Sequence, residues 1–176
     1  LNLIADVGII GLPNVGKSSF LNSITNANPK IANYPFTTLH PNLGVINYDN
    51  YNEIILADIP GIIKNASEGI GLGIKFLGHI EKCKFLLHFL DCSQKRILNN
   101  YEVIRSELVK HGSGLEEKKE IIVLTKSDLI DEDKIKVITK KLEKKFNKKI
   151  SSISINDINS LITLKNLLLS EKNKNK

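Results

Sequence analysis

Consecutive apolar residues recur along the chain in short runs separated by polar and glycine-rich segments. The runs within 84–91 (KFLLHFLD) and 120–126 (EIIVLTK) are apolar nearly throughout, which is typical of strands buried on both faces of a sheet. The runs at 43–48 and 53–59 are separated by a polar segment too short for a crossover helix, which predicts an antiparallel pair. Strands are predicted at 3–10, 43–48, 53–59, 84–91, 120–126 and 149–154.

Segments with the 3.6-residue spacing of a helix lie between these strands. Helices are predicted at 17–25, 74–83, 99–111, 132–147 and 158–170. Alternating strands and helices indicate an α/β fold, with a mostly parallel sheet of about six strands, one of them antiparallel, and helices on both faces. The polar segment 171–176 (EKNKNK) is predicted as a disordered tail, so the domain is expected to span residues 1–170.

Composition favours a globular intracellular protein. Of the 176 residues, 41% are hydrophobic and 25% are charged, and no apolar run approaches the ~18 residues of a membrane span. Cys83 and Cys92 have the spacing of neither a metal site nor a disulfide framework, so we expect reduced cysteines in the core. The four histidines do not cluster with acids, so we expect structural or surface groups. Because the chain contains no methionine, we expect it to be part of a longer protein with a domain upstream; its compartment, cytoplasmic or organellar, stays open.

Positive charge is concentrated in one predicted helix. The formal net charge is +6, and eight lysines between Lys134 and Lys149 accompany a single acid, Glu143. A solvated helix face accounts for such a run. Alternatively, the lysines contact RNA phosphates and release the counterions bound there. The sequence leaves both interpretations open.

A glycine-rich corner follows the first predicted strand. Residues 11–18 (GLPNVGKS) match the pattern G-x-x-x-x-G-K-[ST] between a strand and a helix, which is the context in which this motif binds phosphates. Gly11 and Gly16 let the backbone approach an anion closely. Lys17 supplies positive charge for the terminal phosphates, and the Ser18 hydroxyl is a ligand for Mg²⁺. A chance match in a surface loop is the alternative, and the strand–loop–helix context argues against it.

Two further motifs each follow a predicted strand. In DIPG at 58–61, Asp58 is suited to hold Mg²⁺ through water, and Gly61 to offer its amide to a γ-phosphate. In TKSD at 125–128, the Asp128 carboxylate can accept hydrogen bonds from guanine N1–H and the exocyclic amino group, whereas the adenine N1 acceptor would be repelled. The aliphatic part of Lys126 would lie along the base.

Taken together, these residues resemble the G domain of the Obg family of translation-factor-related GTPases, which are P-loop NTPases. Two stretches carry the resemblance, IADVGIIGLPNVGKSSFLNSITNANPKIANYPFTTLHPNLGVI and ADIPGIIKNASEGIGLGIKFLGHIEKCKFLLHFLD. Beyond residue 92, mainly TKSD and the segment 153–156 match. The resemblance implies a P-loop NTPase G domain that binds GTP and GDP with Mg²⁺.

The resemblance also implies two switch segments, switch I at about 28–42 and switch II at about 60–73, ordered by the γ-phosphate and Mg²⁺. Thr38 would reach the metal when GTP is bound, beside Ser18 and Asp58. The segment 154–156 would give a backbone amide to guanine O6. Ile155 and Thr125 depart from the commoner alanine and asparagine, which leaves the affinity for guanine open. The implied nucleotide-binding residues are Gly11, Leu12, Pro13, Asn14, Val15, Gly16, Lys17, Ser18, Ser19, Phe36, Thr37, Thr38, Leu39, His40, Asp58, Ile59, Pro60, Gly61, Thr125, Lys126, Ser127, Asp128, Ser154, Ile155 and Asn156.

Hydrolysis is expected to be slow. Ile62 follows Gly61 where Ras-like proteins have a glutamine that orients water, and a hydrophobic side chain cannot do so. Catalysis would rest on Lys17, Thr38 and Gly61, assisted by loop ordering, a monovalent cation or a partner. Asn14 either helps to ligate K⁺ or only stabilises the turn of the loop.

Three function classes are compatible with the motifs. The resemblance favours a slow GTPase that acts as a molecular switch in ribosome biogenesis, as a monomer, with a ribosomal subunit or rRNA as partner and without reading DNA sequence. The alternative is a guanine-nucleotide sensor with negligible hydrolysis, which Ile62 keeps open. A P-loop kinase or ATPase would bind ATP as well as GTP, and TKSD argues against it.

Overall fold

The computed structural model describes residues 5–25, 30–31, 42–59, 81–112 and 114–174. These residues contain seven strands and four α-helices. The strands are β1 (Val7–Gly11), β2 (Lys30–Ile31), β3 (Asn42–Asn47), β4 (Glu53–Asp58), β5 (Phe85–Asp91), β6 (Glu120–Thr125) and β7 (Ile150–Ser152). The helices are α1 (Lys17–Ile24), α2 (Ile97–His111), α3 (Glu132–Phe146) and α4 (Ile158–Asn173). Within these residues, no helix is both long and apolar enough to cross a membrane.

The strands form one sheet in the order β2-β3-β4-β1-β5-β6-β7, in which β3 runs opposite to the six other strands. The turn between β3 and β4 is closed by Asp49, whose carboxylate accepts hydrogen bonds from the amides of Tyr51 and Asn52 at 2.8 Å each. So tight a connection admits only antiparallel pairing. The prediction of a mostly parallel sheet with one antiparallel strand is therefore confirmed.

Helices cover both faces of the sheet because successive residues of a strand point to opposite sides. On β6, Ile121 and Val123 belong to a core shared with α1 and α4, whereas Ile122 and Leu124 belong to a core shared with α2 and α3. Strands β1, β5 and β6 are buried along their whole length, in agreement with their apolar sequences. Because β1, β4, β5 and β6 are parallel, their carboxyl ends lie along one edge of the sheet, and the segments that follow them meet there.

Two elements differ from those predicted. The sequence does not indicate β2, because two residues carry no periodicity. Residues 81–83, predicted as the end of a helix over 74–83, form a turn, and residues 74–80 lie outside the described ranges. The Lys118 ammonium donates to the carbonyls of Glu81 and Cys83, and these contacts hold the turn against the start of β5.

The predicted disordered tail is wrong for residues 171–174, since α4 continues to Asn173 and Lys174 is also described. The side chain of Glu171 is fully buried. Its carboxylate pairs with three lysines, Lys119, Lys149 (2.9 Å) and Lys174 (3.3 Å). Ion pairs with residues far away in the sequence therefore stabilise a helical turn whose own composition is polar.

A second buried carboxylate, Glu120 at the start of β6, lies on the opposite face of the sheet. It pairs with Arg105 at 2.9 Å and Lys148 at 3.5 Å, and it lies 3.6 Å from Nδ1 of His88. His88 is fully buried and stacks on Tyr101 with ring centroids 4.8 Å apart, and burial lowers its pKa. His88 is thus a structural histidine, as the sequence analysis expects.

The two buried carboxylates generate a prediction about stability and pH. Burial alone would raise the pKa of Glu120 and of Glu171, but their hydrogen-bonded and cationic partners hold both at about 2, below the ordinary 4.5. A depressed folded-state pKa gives stability that is complete above the ordinary pKa and is lost as the pH falls towards 2. We expect Glu171→Gln to lower the free energy of unfolding in urea at pH 7 by about 1 to 3 kcal/mol, because three lysines lose their carboxylate.

The pH dependence separates this effect from a general loss of stability. From pH 5 to pH 3 the unfolding free energy of the wild-type chain should fall more steeply than that of Glu171→Gln, which lacks the titration of Glu171. The control is Glu102→Gln, which changes an exposed glutamate on α2 and should keep the wild-type slope. Equal slopes in all three proteins would contradict the role assigned to Glu171.

Candidate nucleotide-binding site

The loop between β1 and α1 lies at the carboxyl edge of the sheet. It leaves β1 at Gly11, where a Cβ atom would lie 2.8 Å from the carbonyl oxygen of Phe89 and 2.9 Å from the Val15 side chain. Only glycine therefore allows the loop to pack this closely against β5. Gly16, which precedes α1, has a φ of 105°, and Asn14 has a φ of 65°. These positive angles turn the loop towards the amino end of α1.

The amino end of α1 has no side-chain cap and no acid in its first turn. In contrast, the amino end of α4 is capped by Asp157, which accepts hydrogen bonds from the amides of Asn159 and Ser160. Uncapped amides and the positive end of the helix dipole make a helix amino terminus a binding site for anions. The geometry of the corner thus agrees with its predicted role in binding phosphate.

The ammonium group of Lys17 lies over this loop. It donates hydrogen bonds to the carbonyls of Gly11 at 2.9 Å and Leu12 at 3.3 Å. Burial lowers the pKa of Lys17, and the nearby Asp58 carboxylate raises it in part. A half-buried cation beside an uncapped helix end is well suited to phosphate oxygens.

Asp58, the last residue of β4, faces the first turn of α1. The Ser18 hydroxyl donates to its Oδ2 at 3.1 Å. Burial raises the pKa of Asp58, whereas Lys17 and the Ser18 hydrogen bond lower it. The other oxygen, Oδ1, is buried and accepts no hydrogen bond from the described residues, which destabilises the site unless a further donor is supplied.

A water molecule bound to Mg²⁺ is such a donor, so Ser18 and Asp58 fit this metal beside phosphates. Among the described residues, no group of three or more histidine, cysteine or acidic side chains could hold a metal ion by itself. Phosphate oxygens would therefore have to complete the coordination of a cation bound here.

The loops after β6 and β7 bring the predicted base-reading residues together. The Ser154 hydroxyl donates to Oδ1 of Asp128 at 3.0 Å, and the Asn156 side-chain amide donates to Oδ2 at 3.1 Å. The hydrogen bonds from Asn156 and Ser154 lower the pKa of Asp128, so its carboxylate is ionised at neutral pH. The Ser127 amide donates to the Ile153 carbonyl at 3.1 Å and joins the two loops.

A cavity of about 220 Å³ lies between these loops and the phosphate loop. Phe20, Leu129 and Ile155 contribute apolar walls, and Asp128 and Asn156 contribute polar groups. Ser19, Val15 and Thr125 also line it. A narrow apolar space with a few convergent polar groups is the usual form of a site for a small ligand, and here it is suited to a flat base.

Two polar contacts join the end of β6 to the phosphate loop. The Thr125 hydroxyl donates to the Val15 carbonyl at 2.6 Å, which is the contact with the loop expected of threonine at this position. The Lys126 ammonium donates to the Asn14 carbonyl at 2.9 Å. Lys126 has a φ of 60°, in the left-handed region that lysine seldom adopts, so the surrounding contacts hold it against its own backbone preference.

Asp91, the last residue of β5, is a site residue that the sequence analysis does not identify. Its Oδ2 pairs with the Lys126 ammonium at 2.9 Å. Its Oδ1 accepts hydrogen bonds from the amide and the hydroxyl of Ser93 at 2.9 and 2.6 Å. The signal that could have revealed it is positional, because an acid ends the predicted strand next to the one that carries TKSD.

Cys92 lies beside the end of β6, where the segment 125–128 begins. Its thiol donates to the Thr125 carbonyl at 3.0 Å. Burial raises the pKa of Cys92 to about 11, so the sulfur is protonated at neutral pH. Cys83 and Cys92 are both buried and free, as the sequence analysis expects.

The predicted nucleotide-binding residues that the structure describes lie along one edge of the sheet. Among the remaining ones, Leu12 is half-buried, Pro13 is exposed, and Ile59 is buried with its amide donating to the Ile9 carbonyl at 3.0 Å. Several predictions fall on residues outside the described ranges: Phe36, Thr37, Thr38, Leu39, His40, Pro60, Gly61 and Ile62. The same holds for most of switch I and for switch II.

Known proteins resemble this chain over most of its length. The family model described as "50S ribosome-binding GTPase" matches residues 6–126. GTPase Obg of Pelagibacter ubique is 54% identical over 170 residues, which cover 97% of this chain and 52% of that protein. GTPase Obg of Prochlorococcus marinus (strain MIT 9215) is 52% identical over 154 residues, which cover 88% of this chain and 47% of that protein. The chain therefore spans about half the length of the curated relatives it matches.

Solved structures with the same fold include the G domain of the T. maritima FeoB iron transporter. It aligns with a TM-score of 0.65 at 23% identity and covers 94% of this chain and 96% of its own. The cytosolic domain of the same transporter in a GDP form aligns with a TM-score of 0.68 at 23% identity and covers 96% of this chain and 63% of its own. At such identities the likeness shows the fold alone, and it confirms the predicted α/β G domain.

The range matched by the family model includes the phosphate side of the candidate site but not Asp128 or the segment 154–156. The matched range 6–126 contains the phosphate loop, Asp58 and the Thr125–Lys126 pair that joins the base side to that loop. The chain belongs to the 50S ribosome-binding GTPase family and is an Obg family GTPase.

Proposed function

We propose that this chain binds GTP and GDP together with Mg²⁺ and hydrolyses GTP slowly, as the switch of a protein that acts in ribosome biogenesis. The observation that carries the proposal is the 2.6 Å hydrogen bond from the Thr125 hydroxyl to the Val15 carbonyl. It holds the base-side loops next to the phosphate loop, so that one nucleotide can contact both. The relatives named GTPase Obg support the same activity.

The phosphates would bind to the uncapped amides at the start of α1 and to Lys17. Lys17 would exchange its hydrogen bonds to the Gly11 and Leu12 carbonyls for bonds to phosphate oxygens. Ser18, Asp58 and Thr38 would hold Mg²⁺, which neutralises charge on the β- and γ-phosphates. Gly61 would donate its amide to the γ-phosphate.

The base would be recognised by the Asp128 carboxylate and by the Ile155 amide. The Ser154 amide donates to the Ser160 hydroxyl at 3.1 Å, and the Asn156 amide donates to the Ser154 hydroxyl at 3.0 Å. The Ile155 amide between them makes no hydrogen bond within the described residues, and its side chain is half exposed. This amide is therefore left for guanine O6, whatever side chain the residue carries.

Substitution of Asp128 tests the choice of base. We expect Asp128→Ala to weaken GDP binding roughly a hundredfold, because two guanine donors lose their acceptor at about 1 to 3 kcal/mol each and tenfold corresponds to about 1.4 kcal/mol. Titration with GDP, GTP and ATP measures the effect, and ATP should bind the wild-type chain far more weakly than GTP.

The control is Asp133→Ala, which removes an exposed aspartate of α3 and should leave all three affinities unchanged. If Asp128→Ala still preferred GDP to ATP as strongly as the wild-type chain does, Asp128 would not read the base.

The hydrolysis step would rely on charge rather than on a side chain that orients water, since Ile62 follows Gly61. Asn14 is the candidate for holding a monovalent cation, K⁺, near the phosphates. Its exposed position in the phosphate loop leaves the side-chain oxygen accessible to such a cation. Its φ of 65° equally suits a residue that only stabilises the turn.

Turnover in KCl and NaCl at equal ionic strength separates these roles. We expect single-turnover GTP hydrolysis to be at least about tenfold faster in KCl, because a fixed cation stabilises the developing charge. Asn14→Gly keeps the positive φ but removes the side-chain oxygen, and it should reduce the KCl rate to the NaCl rate.

Equal rates in the two salts, or a KCl acceleration that persists in Asn14→Gly, would exclude Asn14 as a K⁺ ligand. The same experiment tests the alternative function of a guanine-nucleotide sensor, which Ile62 keeps open. A sensor would bind GTP yet release no phosphate above background in KCl.

The partners of the whole protein are also part of the proposal. A ribosomal subunit or its rRNA is the expected partner, and the chain is expected to act inside the cell as a monomer. The family description supports the ribosomal partner. The chain spans about half the length of these relatives, so the activity and partners of the whole protein belong to this proposal.

A further inference from the structure

The exposed surface of α3 divides into two flanks along the helix. Lys134, Lys141 and Lys145 follow one another at i, i+7 and i+11, so they lie on one line parallel to the helix axis, here called the basic stripe. All three side chains are exposed. Lys136, Lys140 and Lys144 are also exposed but lie on the other flank.

The basic stripe borders a groove of about 370 Å³ between α3 and the start of α2. Lys141 lines the groove from α3, and Lys95 and Arg96, which precede α2, line it from the opposite side. The described lining residues include no acid, and the first turn of α2 contains none. Within the described residues, neither the stripe nor Lys95 or Arg96 forms an ion pair.

The other flank of α3 has mixed charge. Lys136 and Lys140 line a separate groove of about 640 Å³ together with Glu132, Glu143 and Asp157. These acids lower the net positive charge of that groove, although within the described residues none of them forms an ion pair with Lys136 or Lys140. The eight lysines counted in the sequence therefore do not form a single patch, and positive charge accumulates on the side that faces α2.

We propose that the basic stripe, together with Lys95 and Arg96, contacts the phosphate backbone of RNA without reading its sequence. The stripe is about 16 Å long at about 1.5 Å per residue, and a strand in a duplex carries one charge about every 3.4 Å, so several phosphates face it. Lysine ammonium groups suit phosphates as point charges. The identity of the polyanion as RNA rests on the proposed function.

The chemistry of the surface disfavours other partners. Sequence-specific readers of RNA commonly stack bases on aromatic side chains, and the described residues that line the groove include no aromatic side chain. A helix that inserts into a membrane surface needs a free apolar face, but Ile138, Leu142 and Phe146 of α3 pack in the core with α2. Interfaces between proteins are depleted in lysine.

Two triple variants with the same loss of charge test the proposal. Lys134→Ala/Lys141→Ala/Lys145→Ala removes the basic stripe, and Lys136→Ala/Lys140→Ala/Lys144→Ala removes the lysines of the other flank. Alanine favours the helix, so α3 should be retained in both, and circular dichroism checks this. The probes are two 20-base-pair RNA duplexes of unrelated sequence, with binding measured at several salt concentrations.

We expect the wild-type chain to bind both duplexes alike, with an affinity that falls as salt rises. Removal of the stripe should flatten the slope of log K against log salt by about 2 to 3, and the other triple should change it by less than about 1. Equal effects of the two triples, no binding by the wild-type chain at low salt, or equally strong binding to vesicles of anionic lipid would overturn the proposal. Both triples should bind GDP as the wild-type chain does. A failure of the wild-type chain itself to bind GDP would count against the proposed function alone.

A separate observation concerns Asp91, whose carboxylate contacts the Lys126 ammonium while that ammonium donates to the Asn14 carbonyl. Asp91 is almost fully buried, and Ser93 fixes its second oxygen. We infer that Asp91 is a positioning residue, which holds Lys126 in its unfavourable backbone conformation against the phosphate loop. It would act on the nucleotide only through Lys126.

A double-mutant cycle with Lys126 tests this inference. We expect Asp91→Asn to weaken GDP binding roughly tenfold in the wild-type chain and less than about twofold in the Lys126→Ala chain, because the contact is then already absent. The control is Asp6→Asn, which alters a similar pair with Lys172 (3.4 Å) and should leave GDP affinity unchanged. Equal fold-changes in the two backgrounds would mean that Asp91 acts through the general stability of the domain.

Discussion

The hydrogen bond between the Thr125 hydroxyl and the Val15 carbonyl joins residues that are 110 positions apart in the chain. The sheet alone fixes only where strands β1 and β6 end, and the loops beyond those ends need contacts of their own. Thr125 is buried, and in such surroundings a hydrogen bond is stronger than at the surface. Its single proton goes to Val15 at 2.6 Å rather than to the Leu90 carbonyl at 3.3 Å. An asparagine amide, with two protons, can satisfy two acceptors, so threonine leaves this connection with one bond fewer.

The sequence predicts those parts of the structure whose signal is local. The strands now seen at 85–91 and 120–125 are continuous apolar runs, and the phosphate loop is a contiguous motif, so both could be identified directly. The burial of Glu171 could not, because its partners Lys119 and Lys149 are distant in sequence and the helical turn itself is polar. Asp91 was missed for a similar reason, since its role depends on strand order rather than on a motif. The resemblance assigned Asp128 and the segment 154–156 separately to the base, and only the structure shows that the Ser154 hydroxyl donates to the Asp128 carboxylate.

Lysine takes on different roles in this domain according to what surrounds it. Lys17 is half-buried beside an uncapped helix end, and its environment lowers its pKa. Lys119 and Lys149 neutralise the buried Glu171 carboxylate and so attach the end of α4 to the amino ends of β6 and β7. The lysines of α3 are exposed, and their neighbours decide whether their charge is offset. Net charge therefore says little about this protein until each cation is assigned its partners.

The thiol of Cys92 can report on local opening of the segment 125–128, which follows β6. Its sulfur is buried, protonated at neutral pH and bonded to the Thr125 carbonyl, so it is a poor nucleophile in the closed domain. An alkylating reagent can reach it only when the end of β6 separates from its surroundings. The rate of Cys92 alkylation is thus a natural measure of local opening at the end of β6, and it requires no introduced label.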